Sequence, residues 1–186
     1  LSMAVAELLD AEIVCMDSRQ IYLGMDIGTD KTPSAFYDRV PHHGLDMRTP
    51  NEVYSAGQFG RDARCWIAEI QGRCRVPILV GGTGFFLKAL THPMFRQPKM
   101  DRERLQGLRM FLDSRPLKEL ERWVRRLDPA RAVLAHQGGT QRLSRTIELA
   151  LLTGRPLSWW HENGELDQEP LNGVVVVLEV DRAELD

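Results

Sequence analysis

Two short apolar runs and one amphipathic stretch organise the first half of the chain. Residues 12–16 (EIVCM) lie between the polar Asp10 and Asp17, and residues 76–80 (VPILV) lie ahead of Gly81 and Gly82. Short continuous runs bounded by turn residues predict buried strands. Between them Ser55 and Gln58 have the spacing of a capping box, with Tyr54 and Phe59 in the staple positions. Phe59, Ala63, Trp66, Ile67 and Ile70 then line one face of a helix. The order strand, helix, strand predicts a parallel pair joined by a right-handed crossover. A third run, residues 174–180 (VVVVLEV), is β-branched and nearly continuous, as in a strand covered on both faces.

The pattern changes after Leu90. Residues 91–100 hold two prolines and no periodicity, and helical patterns then follow one another without strands. Leu105, Leu108 and Leu112 suit one helix; Leu117, Leu120, Val124 and Leu127 suit the next, opened by Pro116 and stopped at Asp128-Pro129. A further helix over 141–153 turns Leu143, Ile147, Ala150 and Leu151 inward and ends at Gly154, with Pro156 just beyond. Residues 161–173 read as a polar loop. The expected organisation is a core α/β domain over 1–92, a helical insertion over 93–140, and a return to the core over 141–186. At the other end Leu1, Val5, Leu8 and Leu9 stand at helical spacing with no N-cap in front, so the sequence reads as entered within a helix.

Composition narrows the class. The 186 residues are 43% hydrophobic and 27% charged with a net charge of −2, the profile of a globular protein and not of a disordered one. Cys15, Cys65 and Cys74 are odd in number and lack CxxC spacing, which fits reduced thiols and draws no zinc site. No apolar run approaches the ~18 residues of a membrane span and no leader pattern stands at the front, so a cytoplasmic protein is expected. Twenty of the 24 basic residues are arginine, whose fork suits phosphate, although GC-rich coding produces the same bias.

Three segments could carry chemistry. Asp17, Ser18, Arg19 and Gln20 follow the first strand, at the end of an open sheet where ligands bind. Asp17 there has three readings: a general base, a metal ligand, or the N-cap of the next turn. Gly81, Gly82, Thr83 and Gly84 follow the second strand and precede a helix, which suits either close approach of a ligand or a plain tight turn. They form neither GxxxxGK[ST] nor GxGxxG. Gln141, Arg142, Leu143, Ser144 and Arg145 open a helix on which Arg142 and Arg145 share a face, to grip phosphates or to lie solvated with Arg145 on Glu148. His42 and His43 sit in a loop without metal-ligand spacing. Trp159 and Trp160 are a stacking platform or loop packing.

Taken in order, the blocks EIVCMDSRQIYLGMDIGTDK (12–31), PHHGLD (41–46), YSAGQFGRDA (54–63), PILVGGTGFFLKAL (77–90) and QRLSRTIELALLTGRPLS (141–158) closely resemble the bacterial tRNA dimethylallyltransferases, or tRNA isopentenyltransferases. The resemblance implies an α/β fold, a P-loop-kinase-like parallel sheet flanked by helices, with a helical insertion domain. It implies transfer of a dimethylallyl group from dimethylallyl diphosphate to N6 of the adenine 3′-adjacent to the anticodon, with Mg²⁺. The partners it implies are tRNA, through the anticodon stem-loop, and dimethylallyl diphosphate, with a monomeric enzyme and no membrane. By the same resemblance Asp17 is the catalytic base. Residues Asp17, Ser18, Arg19, Gln20, Thr83, Gln141, Arg142, Leu143, Ser144 and Arg145 contact tRNA. The family's phosphate loop, of the form GPTASGK[ST], has no counterpart in these residues, so no residue is assigned to diphosphate or to a metal. The competing readings are an adenylate isopentenyltransferase acting on free nucleotides and a non-catalytic tRNA-binding remnant.

Overall fold

The computed structural model describes residues 1–92 and 94–180. The chain divides into two compact units, residues 1–93 with 168–186, and residues 94–167.

The first unit is built on three parallel strands in the order β2-β1-β3. β1 is Ala11–Cys15 and β3 is Val76–Val80, paired in register from Ala11 opposite Val76 to Cys15 opposite Val80. These are the two strands read from the apolar runs, and the parallel pairing follows from the intervening helix. That helix, α2 (Ala56–Gly72), opens on the expected capping box: Gln58 N–H donates to Ser55 Oγ, and Ser55 N–H donates to Gln58 Oε1. Phe59, Ala63 and Ile70 are buried along it, and Phe59 stacks on Phe86 with ring centroids 4.3 Å apart. Phe86 belongs to α3 (Gly84–Thr91), which follows β3 directly. On the opposite face of the sheet α1 (Ser2–Leu8) lays Ala6 and Met3 against Ala11, Ile13, Cys15 and Val40.

Several sequence expectations need correction. His42 and His43 are not in a loop; they form β2, parallel to β1 with Ile13 opposite His42 and Val14 opposite His43. Two polar residues make a strand here because both rings have partners. His42 Nδ1 lies 2.7 Å from the Val40 carbonyl, and His43 Nε2 lies 2.7 Å from Glu12. The run 174–180 is not a strand. Among the described residues it pairs with none, and Val174, Val175, Val176, Val177 and Leu178 are all largely exposed. β-Branched composition supplies propensity but no hydrogen-bond partner, and the run joins the outer edge of neither β2 nor β3. On α1 the residues Leu1, Leu8 and Leu9 face solvent while Met3 and Ala6 pack inward. The helix over 141–153 does not return to the core domain.

That last helix, α7 (Gly139–Thr153), belongs to the second unit, where it packs with α4 (Arg102–Asp113), α5 (Leu117–Leu127) and α6 (Ala132–Gln137). Leu112, Leu120, Val124, Ala135, Leu143 and Ile147 form one buried core. α7 buries Leu149 and leaves Leu151 exposed, the reverse of the expected choice at that end. α8 (Leu157–Asn163) follows where a polar loop was expected to begin; Ser158 N–H donates to Asp128 Oδ2, which caps its first turn. Trp160 packs beside Phe95 and donates Nε1–H to Thr153, so the tryptophan pair serves as packing. β4 (Met94–Phe95) and β5 (Leu166–Gln168) form a separate two-stranded ribbon.

One buried charge cluster ties the first unit together. Glu12, 2% exposed within β1, accepts a two-pronged pair from Arg73 at 3.0 and 2.8 Å in addition to His43. The Arg73 hydrogen bonds prevail over burial, which acts in the opposite sense, and with His43 they hold the Glu12 carboxyl down from 4.5 to about 2. A carboxyl lowered in the folded state stabilises above its unfolded value and loses that contribution as pH falls toward the folded one. Stability from Glu12 is therefore complete above pH 4.5 and drains away toward pH 2, a contribution of up to about 3 kcal/mol. Urea midpoints measured from pH 6 to pH 3 are expected to fall. The Glu12→Gln variant should start lower at pH 7 and fall less; an acid limb parallel to wild type would place the titrating group elsewhere.

Candidate active site

β1 and β3 end side by side, and their continuations stay bonded to each other beyond the sheet. Met16 N–H donates to Val80 O at 2.7 Å, Thr83 N–H donates to Met16 O at 3.3 Å, and Ser18 N–H donates to Thr83 Oγ1 at 3.0 Å. The Thr83 hydroxyl also reaches Ser18 Oγ at 3.4 Å. The two segments singled out in the sequence, residues 17–20 and 81–84, are thereby one structure at the carboxyl ends of parallel strands. Gly81 makes the approach possible. Its φ is +155°, and a Cβ there would stand 2.2 Å from the Met16 carbonyl oxygen.

Asp17 begins the loop after β1. Its Oδ1 accepts the amides of Arg19 at 2.7 Å and Gln20 at 3.2 Å, the capping reading of this residue. The two amides fix the carboxylate plane and leave Oδ2 without a partner among the described residues. The capping and chemical readings are therefore compatible: one oxygen orients the group and the other is free to act. Gln20 extends the arrangement, its side-chain amide donating to the carbonyls of Thr29 at 2.8 Å and Asp30 at 3.2 Å. Cys15, two residues before Asp17, is no competing nucleophile, because burial and then the Asp17 charge push its thiol up to about 12.

The sequence reading passed over Lys31. Its side chain is 3% exposed and its ammonium donates to Asp26 Oδ1 at 2.7 Å, Asp46 Oδ1 at 2.6 Å and Tyr22 O at 2.8 Å. Burial works to lower the Lys31 pKa, but the hydrogen bonds to Asp26 and Asp46 outweigh it and the value is raised. The charged lysine closes the long loop that starts at Gln20. A usable signal existed: lysine is rare in this chain, and a compact ammonium suits a buried site between two carboxylates better than a guanidinium fork.

In the second unit, Gln141 and Arg142 are exposed on the first turns of α7. Arg142 runs over Gly138, where a Cβ would collide with its side chain, and has no ion-pair partner among the described residues. Arg145 differs. Its guanidinium lies 3.3 Å from Glu148, which is 4% exposed and also bound by Arg109 at 2.8 Å. The pairing with Glu148 foreseen as the plain alternative is thus present. Leu143 is fully buried in the core of the unit, so its side chain is not available to a ligand. Ser144 is half-buried. Residues 94–167 contain fourteen basic and ten acidic residues, a net +4 in a chain whose total is −2.

The sequence model of the family described as IPP transferase matches residues 20–186. The chain belongs to the IPP transferase family. A tRNA dimethylallyltransferase of Halorhodospira halophila is 44% identical over 158 residues, covering 85% of this chain and 51% of its own length. A full-length tRNA isopentenylpyrophosphate transferase of Bacillus halodurans is similar in structure with a TM-score of 0.50 at 35% identity, over 83% of this chain and 52% of its own. A eukaryotic dimethylallyltransferase caught in crystals acting on tRNA gives a TM-score of 0.71 at 25% identity, over 89% of this chain and 41% of its own. The chain thus spans about half the length of the family members it matches. The parallel sheet flanked by helices is the fold they share.

No helix among the described residues is long and apolar enough to cross a membrane. Nor do the described residues contain a group of three or more His, Cys, Asp or Glu side chains placed to hold a metal ion.

The Met16–Gly81 contact predicts a specific sensitivity. The Gly81→Ala variant must separate the two loops, costing on the order of 2 kcal/mol. Chemical denaturation would measure the loss, and an unchanged midpoint would show that the loops do not depend on their close approach.

Proposed function

We propose that this chain supplies the acceptor side of a tRNA dimethylallyltransferase, with Asp17 as the base. The observation that carries the reading is the placement of Asp17 in a member of this family. The carboxylate stands at the carboxyl end of β1, oriented through Oδ1 by two backbone amides and open at Oδ2. The acceptor is N6 of the adenine 3′-adjacent to the anticodon, and the donor is dimethylallyl diphosphate.

An exocyclic amino group is a weak nucleophile because its lone pair is delocalised into the ring. A carboxylate oxygen aligned on one N–H restores density to nitrogen as the new bond forms. The nitrogen attacks C1 of the dimethylallyl group, the C1–O bond to diphosphate breaks, and the N6 proton passes to Asp17 Oδ2. Ser18 and Thr83 hold the loop that presents this oxygen; Arg19 and Gln20 continue it. An adenine must leave its stack to reach a carboxylate so placed, at a cost of a few kcal/mol that contacts to the RNA elsewhere offset. Exposed and unpaired, Arg142 suits a phosphate, with Gln141 beside it; Arg145 contributes through the Glu148 pair. Mg²⁺ would accompany the diphosphate. The enzyme would act as a cytoplasmic monomer.

Three measurements on the intact protein test this. Asp17→Asn is expected to lower the rate of prenylation of an anticodon stem-loop by about 10²-fold or more with little change in RNA affinity; a near-normal rate removes Asp17 as the base. AMP offered against the stem-loop should be the poorer acceptor, and a preference for AMP would transfer the assignment to adenylate isopentenyltransferases. Arg142→Ala should weaken stem-loop binding and reduce its salt slope by about one, whereas binding unchanged at two salt concentrations would make Arg142 a solvated side chain.

A further inference from the structure

Ile27 is the most exposed large apolar residue described in the chain, at 99%. Single exposed apolar side chains are ordinary on mobile surfaces, where they can fold back. Ile27 is held out instead. It opens a 3-10 turn (Ile27–Thr29) closed by Asp30, whose φ of +51° is left-handed. Thr29 Oγ1 donates to Met25 O at 2.6 Å, and Lys31 N–H donates to Asp26 O at 3.2 Å. The buried Lys31 ammonium grips Asp26, and the Gln20 side chain pins Thr29 and Asp30 from the other side. A loop tied on both flanks of one isoleucine keeps that side chain in water, an arrangement that folding alone does not reward.

Two further observations limit what would cover it. Gln20, which binds the base of this loop, also donates its backbone amide to Asp17, so Ile27 is carried on the same bonded framework as the candidate base. Its sequence neighbours on the turn include Asp26 and Asp30, and Asp26 is 62% exposed in its side chain. Carboxylates beside the tip repel phosphate, which leaves the face of a base as the part of an RNA that fits.

We infer that Ile27 is an apolar wedge that packs against an unpaired nucleobase of the RNA substrate, next to the base presented to Asp17. The inference rests on the tRNA reading above. Insertion beside an unstacked base recovers the apolar contact that the loop withholds from water. It also helps keep a neighbouring base out of the stack.

The test compares wild type, Ile27→Ala and Ile27→Leu in the intact protein. The probes are an anticodon stem-loop with an unpaired loop and a fully paired RNA of equal length. Ile27→Ala should bind the stem-loop about tenfold more weakly, with Ile27→Leu within about twofold of wild type. Affinity for the paired RNA, the salt slope and the melting temperature without RNA should all stay the same, since no phosphate contact and no internal packing is lost. Equal stem-loop affinity in Ile27→Ala overturns the inference, as does an equal loss on both RNAs. A fall in melting temperature overturns it too, by showing that Ile27 packs against protein. Wild type that prenylates the stem-loop while Ile27→Ala does so equally well defeats the wedge alone. Wild type that binds the stem-loop through Ile27 but never prenylates it defeats the enzymatic reading and leaves the wedge standing. Wild type that neither binds nor prenylates defeats both.

Discussion

The close passage of the backbone at Met16 past Gly81 is the constraint on which the rest of the candidate site depends. Parallel strands normally diverge at their ends, because each feeds a connection that leaves the sheet. Here the ladder continues past β1 and β3 through Met16 to Val80 and Thr83 to Met16, and only a residue without a Cβ leaves room for it. Thr83 then spends its hydroxyl on Ser18 rather than on capping α3. The result is that a loop bearing a carboxylate is held by a neighbouring strand's loop as well as by its own turn. Orientation of Asp17 is thus a property of the sheet, and a group meant to meet an incoming substrate gains from being fixed in advance.

Much of this was legible in the sequence because the physics involved is local. The capping box at Ser55, the apolar strand runs and the stop at Asp128-Pro129 each depend on residues a few positions apart, and each appears in the structure. What was not legible depends on partners distant in sequence. His42 and His43 become a strand because Glu12 waits across the sheet at the right register. Residues 174–180 have every local mark of a strand yet join neither outer edge of the sheet, since β-branched composition does not supply a partner. The amphipathic pattern of α7 correctly gave a helix with a buried face, but a buried face does not name the neighbour that buries it, and Leu112, Leu120 and Val124 of the helical unit do so. At the site the residue types pointed to Asp17 and Thr83, while Lys31 and Ile27 acquire meaning only once the loop they share is closed.

The two buried ion clusters illustrate different uses of the same physics. Glu12 and its partners lie within the sheet and near its amino ends, where charge has no ligand to meet and serves to knit β1, β2 and the end of α2. Lys31 lies beyond the carboxyl ends, and its partners Asp26 and Asp46 are both partly exposed. A buried charge that loses its partners is costly, so each cluster also enforces a single geometry. In the sheet that geometry is strand register. Beyond it, the geometry is a rigid loop that leads from Gln20 and ends by presenting an isoleucine to solvent.

Charge is also divided by unit, and the division bears on how a chain of net −2 would serve an RNA on the proposed function. Residues 94–167 carry +4, so the remainder carries −6. Attraction to a polyanion falls off within about a Debye length, ~8 Å at physiological salt, so what an RNA meets is the local surface and not the total. On the proposed function, arginine concentrated in the helical unit would grip phosphates there, while the α/β unit is acidic by sequence. Phosphate positioning would then fall to the helical unit and the acceptor base to the unit that carries Asp17, the separation of phosphate positioning from base reading that protein–nucleic acid interfaces generally show.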